Sequence, residues 1–516
     1  MSTTAGRIQD LRNRLDEARA PLGQDAIDAV HEAGDLTARE RVERLLDAGS
    51  FVEVDALARH RVEAYKMDRT KPSTDGVVAG YGLIDGRRVC VFSQDATIFD
   101  GGIGEVYAEK ILKVYELAAK TGVPVIGFYD SLGPRWQEGV VTAHMQAKIL
   151  RAATQASGLV PQIAVVAGEV ATLAATTVPL ADMRIMVDGA SLHLAATDVA
   201  SKVAGSEVTA EQLGGADVHA ATTGVATIRV STDEQAVDKV RKLVSYLPLN
   251  NRAAAPVADA AEGADASVLD SLVPDEDAQP YDITTVIETI TDGDFYELGA
   301  AHAGNVVTGF AHIDGRALGI VATQPSVLAG CLSADAARKA ARFIRTCDAY
   351  NIPLVFVVDT PGYLPGVDQE REGLIHRGAK LAFAVVEATV PKVTLIVRKA
   401  YGGAYAVMGS KNLTGDINLA WPTAQIAVMG SSAAVVMIQG KQLAAIEDPV
   451  QREAMKKMFM DFYDETMTSP YVAAERGFID SMIEPSQTRL SLRRALRQLA
   501  TKQEQDLPKK HTISPL

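Results

Sequence analysis

Residues 76–87 read GVVAGYGLIDGR, and residues 305–316 read NVVTGFAHIDGR. The second stretch repeats the first at an offset of 229 residues (305 − 76). The offset persists downstream. Gly122-Val123-Pro124-Val125, running on to Asp130-Ser131, is answered by Asn351-Ile352-Pro353-Leu354, running on to Asp359-Thr360. Val160-Pro161-Gln162-Ile163 is answered by Val390-Pro391-Lys392-Val393 at an offset of 230 (390 − 160). Upstream, AGSFVEV (48–54) is answered by DGDFYEL (292–298) at 244 (292 − 48), so one half gained or lost residues between the first two blocks. Solenoid repeats run about 20–50 residues, so a period this long means a duplicated domain. The expected domains are 1–255 and 256–516. The seam falls in residues 250–280, an Ala-, Asp- and Pro-rich stretch with no sustained apolar face, as a linker would have.

Each half follows the same order. A β-hairpin turning at Asp85-Gly86 opens it, and a glycine cluster (Gly101, Gly102, Gly104; Gly330) follows. Next comes a helical stripe: Ile111, Val114, Tyr115 and Ala118 in the first half, Ala340, Phe343 and Ile344 in the second. A buried strand, a second helix (141–157; 374–388) and a further strand complete the half. Alternating strands and helices predict an α/β layered fold with both sheet faces covered. Residues 6–47 read as helical, with Thr37 as an N-cap and Gly49 as a terminator; 440–505 read as mostly helical and charged.

The 516 residues carry 51 Lys+Arg and 65 Asp+Glu, a formal net charge of −14, which argues against a nucleic-acid binder. Cys90, Cys331 and Cys347 form no CxxC pair, and the nine histidines show no ligand spacing, so no metal site is expected. The first twenty residues mix both charges and lack an apolar core, unlike a signal peptide. The apolar runs fall short of the roughly 18 residues of a membrane span. The expected compartment is the cytoplasm. A nucleophile elbow and a P-loop are both absent from the sequence.

VTLIVRKAYGGAYAVMGSKNL (393–413) has the makings of an anion site. A buried strand ends, Tyr401-Gly402-Gly403-Ala404 follow, and a helix begins. Backbone N–H groups at such a start have no intrahelical acceptor and attract negative charge. The arrangement suits an oxyanion, from either a thioester enolate or a ureido oxygen. A glycine pair that only lets a helix pack closely on a sheet reads the same way. At an offset of 230 the first half has Thr172, Leu173 and Ala174 instead, with side chains where the second half has none. Asp130-Ser131-Leu132-Gly133-Pro134-Arg135 and Asp359-Thr360-Pro361-Gly362-Tyr363 stand at equivalent strand ends and are expected to border the cleft. His376 reads as either a cleft-lining or a solvated histidine.

DTPGYLPGVDQEREGLIHRGAKL (359–381), ATVPKVTLIVRKAYGGAYAVMGSKNL (388–413) and AWPTAQIAVMG (420–430) resemble the carboxyltransferase β subunits of biotin-dependent acyl-CoA carboxylases of the propionyl-CoA type. In the first half TARERVERLLD, DGVVAGYG, GEVYAEKI and SGLVPQIAVVAG extend the resemblance to about residues 35–515. It implies two tandem homologous crotonase-like domains of the ClpP/crotonase superfamily. It also implies a homohexamer, with the first domain of one subunit facing the second domain of its partner. CO2 would pass from carboxybiotin, on a separate biotin carboxylase/biotin carrier α subunit, to the α-carbon of an acyl-CoA through a thioester enolate. Two backbone oxyanion holes serve that chemistry: Gly403 and Ala404 on the biotin side, Leu173 and Ala174 on the acyl side. Tyr401, Gly402, Gly362 and Tyr363 would line the biotin; Thr172, Ala406, Gly101, Gly102, Gly133 and Arg135 would line the acyl-CoA. Ala406 implies a roomier, less polar acyl pocket than the Asp common in short-chain members.

Departures from the family pattern gather on the acyl side. GEVATLAATTVPL (168–180) stands where GPCAGGAVYSPAL is usual. Leu132, Pro134 and Trp136 replace Gly, Ala and Ile; Asp100 replaces a glycine; Ala195-Ala196-Thr197-Asp198-Val199 replaces TGPDV. Three readings follow: a carboxyltransferase with an unusual acceptor, an altered paralogue serving as a structural subunit of a mixed complex, or a decarboxylase running the same enolate chemistry backwards.

Overall fold

The computed structural model describes residues 3–261, 263–504 and 508–515. The chain forms two compact units, residues 1–254 and 255–516. Residues 1–2, 262, 505–507 and 516, which touch the expected domain limits, the seam and the end of the helical tail, lie outside the described residues.

The first unit holds strands β1 (Val52–Glu53), β2 (Val77–Ile84), β3 (Arg87–Gln94), β4 (Val125–Ser131), β5 (Gln162–Ala171), β6 (Met183–Val187), β7 (Ser191–His193) and β8 (Ile228–Val230). Their order is β1-β2-β3-β4-β5-β6-β8, with β7 beside the end of β5. The second unit holds β9 (Tyr296–Leu298), β10 (Val306–Ile313), β11 (Arg316–Thr323), β12 (Leu354–Thr360), β13 (Lys392–Tyr401), β14 (Ile417–Ala420), β15 (Gln425–Ala427) and β16 (Ser481–Met482). Their order is β9-β10-β11-β12-β13-β14-β16, with β15 beside β13. The two sheets are copies in order and direction. An antiparallel hairpin leads in (β2/β3; β10/β11) and parallel strands follow.

The sequence explains the copies. Asp85-Gly86 and Asp314-Gly315 both take positive φ in two-residue hairpin turns, so Ile84 pairs with Arg87 and Ile313 with Arg316. Helices Glu105–Thr121 and Ala334–Ala349 bury the predicted stripes against the sheets. Val125–Tyr129 and Leu354–Val358 are apolar because parallel strands are covered on both faces.

Two expectations need correction. The helix capped by Thr37 does form, with a capping box to Glu40, but it stops at Leu45 rather than at Gly49. Leu46 turns extended and buries its side chain, which ends the helix first. The stretch 255–280 is not a bare linker. Val257 bridges to Arg316, and Leu269, on a short 3-10 turn (Ala266–Ser271), joins the second unit's core.

Candidate active site

Strand β13 ends at Tyr401, and the short helix Gly402–Val407 begins at once. Gly402 takes φ +59°, and a Cβ there would meet Val428 O at 2.9 Å, so glycine is required on two counts. The amides of Gly403 and Ala404 lie in the first turn, where no intrahelical acceptor exists. Gly403 is exposed and Ala404 buried. The Tyr363 ring lies beside this start: a Cβ on Gly403 would meet Tyr363 Cε2 at 3.4 Å, and one on Gly378 would meet its hydroxyl at 2.9 Å. Burial pushes the Tyr363 hydroxyl pKa up. Gly362 takes φ +142°, and a Cβ on it would meet nothing within 4 Å. The space beside Gly362 is therefore open, while the Tyr363 ring closes on the Gly403 end of the helix start.

The first unit repeats the device with different side chains. β5 ends at Ala171, Thr172 takes φ +55°, and a 3-10 turn (Ala174–Thr176) follows Leu173. Thr172 N donates to His193 O at 2.9 Å, which ties the turn to β7. Gln146 Nε2 donates to Leu173 O at 2.9 Å, and to Thr176 Oγ1 and Thr177 Oγ1 at 3.0 and 2.9 Å, and so fixes the turn from the helix Val140–Ala156. Sequence reading missed Gln146, whose only trace is its place on the helix Val140–Ala156.

Several predicted site residues turn inward instead. Arg135 is 2 % exposed; its Nη1 pairs with Asp75 Oδ1 at 2.8 Å and Glu138 Oε1 at 3.0 Å, and its guanidinium lies over the Phe99 ring. This side chain is an internal tie and does not reach for a ligand. Gly101 and Gly102 are buried: a Cβ on Gly101 would meet Asp130 O at 2.3 Å, and one on Gly102 would meet Phe99 O at 2.8 Å. They serve close packing of the 98–102 turn on the end of β4. Tyr401 is 7 % exposed and donates its hydroxyl to Gln425 Oε1, so it contributes backbone rather than side chain. Ala406 stands exposed on the helix Gly402–Val407, and His376 is exposed on Leu374–Glu387.

The two strand-end aspartates differ in burial. Asp359 is 1 % exposed and accepts from Tyr281 Oη at 2.8 Å, Arg398 Nε at 2.9 Å and Lys399 N at 3.0 Å. Asp130 meets Arg41 Nη1 at 3.5 Å, and burial pushes its pKa up to about 6. Asp359 braces the sheet behind its turn, while Asp130, partly exposed, lines a pocket with Arg41, Gln94 and Asp95. Among the described residues, no group of three His, Cys, Asp or Glu is placed to hold a metal.

Comparison with known proteins decides what twin strand-to-helix turns on duplicated sheets belong to. The carboxyl transferase domain matches residues 29–513. The chain belongs to the carboxyl transferase family. It is a carboxyltransferase of the biotin-dependent acyl-CoA carboxylase kind, built from two crotonase-like domains. It is 51 % identical to the biotin-dependent acetyl-/propionyl-coenzyme A carboxylase beta5 subunit of Mycobacterium tuberculosis, over 100 % of this chain and 96 % of the relative. It is 44 % identical to the methylmalonyl-CoA decarboxylase subunit alpha of Propionigenium modestum, over 100 % of both. The transcarboxylase 12S structure, a hexamer with methylmalonyl-coenzyme A bound, superposes with a TM-score of 0.96 at 41 % identity, over 100 % of this chain and 99 % of that one. Among the described residues, no helix of this carboxyltransferase is long and apolar enough to cross a membrane.

Proposed function

We propose that the two turns divide one reaction between them: Gly403 and Ala404 serve the biotin, Leu173 and Ala174 the acyl thioester. One observation carries this reading. Each sheet ends its fifth strand in a turn whose next backbone amides open a helical turn, where no intrahelical acceptor exists. Such preset donors stabilise an oxyanion, and losing one costs about 2.7–4 kcal/mol of barrier. The open space over Gly362 would admit a flat ureido ring, with Tyr363 as its side wall. Biotin, when bound, supplies the carboxyl group. The chain's own part is to hold the thioester oxygen on Leu173 and Ala174 N–H while charge gathers on that oxygen; the α-proton would go to the ureido nitrogen that the biotin exposes once its carboxyl group has left. The same amides keep the enolate in place until its α-carbon is carboxylated.

The partners that complete this activity are a biotin carboxylase/biotin carrier α subunit and five further copies of the chain, and the acceptor is an acyl-CoA. The compartment is the cytoplasm. Incubating the chain with its biotin-loaded partner, ATP, labelled bicarbonate and a panel of acyl-CoAs tests the proposal. Acid-stable label is expected with at least one thioester. Gly403→Val, which pushes a side chain against Tyr363, is expected to abolish it while CoA-thioester binding persists. The absence of label with every thioester, from a partner shown to be carboxylated, overturns the reading. Thr172 and Leu173 favour one competitor, a structural subunit of a mixed complex. It requires that T172G/L173G create activity where the natural chain has none.

A further inference from the structure

The two halves build the same pair of facing turns and fill the space between them differently. In the second half the space beside the first turn is open, since a Cβ on Gly362 would meet nothing within 4 Å and Gly402 sends no side chain toward it. In the first half the same positions are Gly133 and Thr172. A Cβ on Gly133 would lie 1.9 Å from Thr172 Oγ1, and that hydroxyl donates to Leu132 O at 3.2 Å. Thr172 thus occupies the gap that its twin leaves empty. It does so at φ +55°, a conformation that a β-branched residue rarely adopts and that glycine adopts freely. Strain of that kind persists where neighbours hold it, here the bond from Thr172 N to His193 O and the hydroxyl bond to Leu132. Thr172 is only half-buried, so its methyl and hydroxyl edge faces the accessible side of the turn.

We propose that Thr172 is a specificity-determining residue. It closes the space beside the thioester carbonyl, so that the site takes an acyl group with no alkyl substituent on its α-carbon, the acetyl class, ahead of propionyl and longer groups. The inference rests on the reading that Leu173 and Ala174 hold the thioester oxygen. An oxygen on those amides sets the α-carbon two bonds away, beside residue 172. A methyl on that carbon then competes for the volume Thr172 already fills. One methyl group is worth about 10–200-fold in such a pocket.

The test uses the full complex with its biotin-loaded partner and compares kcat/KM for acetyl-CoA and propionyl-CoA in the natural chain, T172G and T172S. The natural chain is expected to favour acetyl-CoA. T172G is expected to shift the ratio toward propionyl-CoA by about tenfold or more. T172S, which keeps the hydroxyl bond and loses only the methyl, is expected to fall between. A role confined to bracing the turn would move both substrates together. A natural chain that prefers propionyl-CoA, or a ratio unmoved in a folded T172G, overturns the proposal. Calorimetric binding of the unreactive thioether analogues of the two substrates separates it from the underlying reading. If T172G moves the affinity ratio while no variant turns over, the size filter stands and the transfer reading falls. If neither turnover nor affinity ratio moves, the size filter falls.

Discussion

Asp130 and Asp359 show how far two copies of one residue can diverge. Asp359 has Arg398 at 2.9 Å, and position 168, the copy of 398, is a glycine. A Cβ on Gly168 would lie 2.2 Å from Asp130 Oδ1, so the carboxylate occupies the space an arginine side chain would need. Its cation comes instead from Arg41, at 3.5 Å, and Arg41 also serves Asp233 at 2.8 Å. The weak pairing leaves desolvation in the lead and the pKa raised to about 6. The folded chain therefore holds this proton more tightly than the unfolded chain, whose carboxyl titrates near about 3.9. The stability this confers is complete below pH 3.9 and is lost as pH rises through 6. Between pH 5 and 7.5 the natural chain is expected to lose about 1 kcal/mol from this group. Asp130→Asn should flatten that part of a urea-denaturation pH series; an unchanged slope would show that another group is responsible. Arg398→Met should behave differently, because it strands a carboxylate that is 1 % exposed. A loss of about 3–5 kcal/mol is expected, largely recovered in the double variant with Asp359→Asn. The aspartates were legible in the sequence as strand ends. Their partners were not: Arg41 lies 89 residues from Asp130 and carries no local signal.

At the scale of elements, the helix after each hairpin carries the same buried anchor. Lys110 Nζ donates to Thr74 O at 3.0 Å and Val77 O at 2.5 Å. Its copy 229 positions on, Lys339, donates to Gly299 O, His302 O and Val306 O at 2.8, 2.9 and 2.7 Å. Each ammonium ties its helix to the first residue of the hairpin, Val77 or Val306. Burial pulls both pKa values down to about 8. The unfolded lysine titrates near about 10.4, so the unfolded chain binds more protons and stability rises between pH 8 and 10.4. Lys110→Met leaves two carbonyls without their donor. It should cost about 2–4 kcal/mol in urea denaturation and remove about half of that alkaline rise, the rest staying with Lys339. The sequence announced these elements well, because a duplicated hairpin and an i, i+3, i+4 stripe are local patterns. It misjudged Gly49 and the 255–280 stretch, because one buried side chain, Leu46 or Leu269, outweighed the turn and linker composition around it. The strand-to-helix turn at 401–404 was legible because a buried strand, a glycine pair and a helix start are local patterns too. Arg135, Gly101 and Gly102 misled because an arginine or a glycine pair in a sequence reads alike whether it faces a ligand or a packed neighbour.

For the whole molecule the telling feature is apolar surface that the single chain leaves uncovered. Helices Ser431–Ala444 and Pro449–Tyr463 of the second unit leave Val436, Met437, Ile438, Met458 and Phe462 each more than half exposed. In the first unit Trp136, Val140, Leu194 and Val203 are at least 70 % exposed. A soluble monomer seldom leaves this much large apolar side chain in water, whereas a subunit buries it against its neighbours. The charge gives the same indication. A net −14 spread over separate chains would repel, so association has to come from apolar contact, and salt should strengthen it rather than dissolve it. The proposed hexamer of 54.8 kDa chains predicts a particle of about 329 kDa (6 × 54.8) by light scattering, at low and at high salt. Met437→Glu combined with Phe462→Glu should reduce that mass without lowering helix content, because neither side chain belongs to a core. A natural chain that stays near 55 kDa at micromolar concentration would leave these surfaces unexplained and remove the hexamer. A particle that falls apart as salt rises would place the association in ion pairs instead, and the apolar helices would then need another partner.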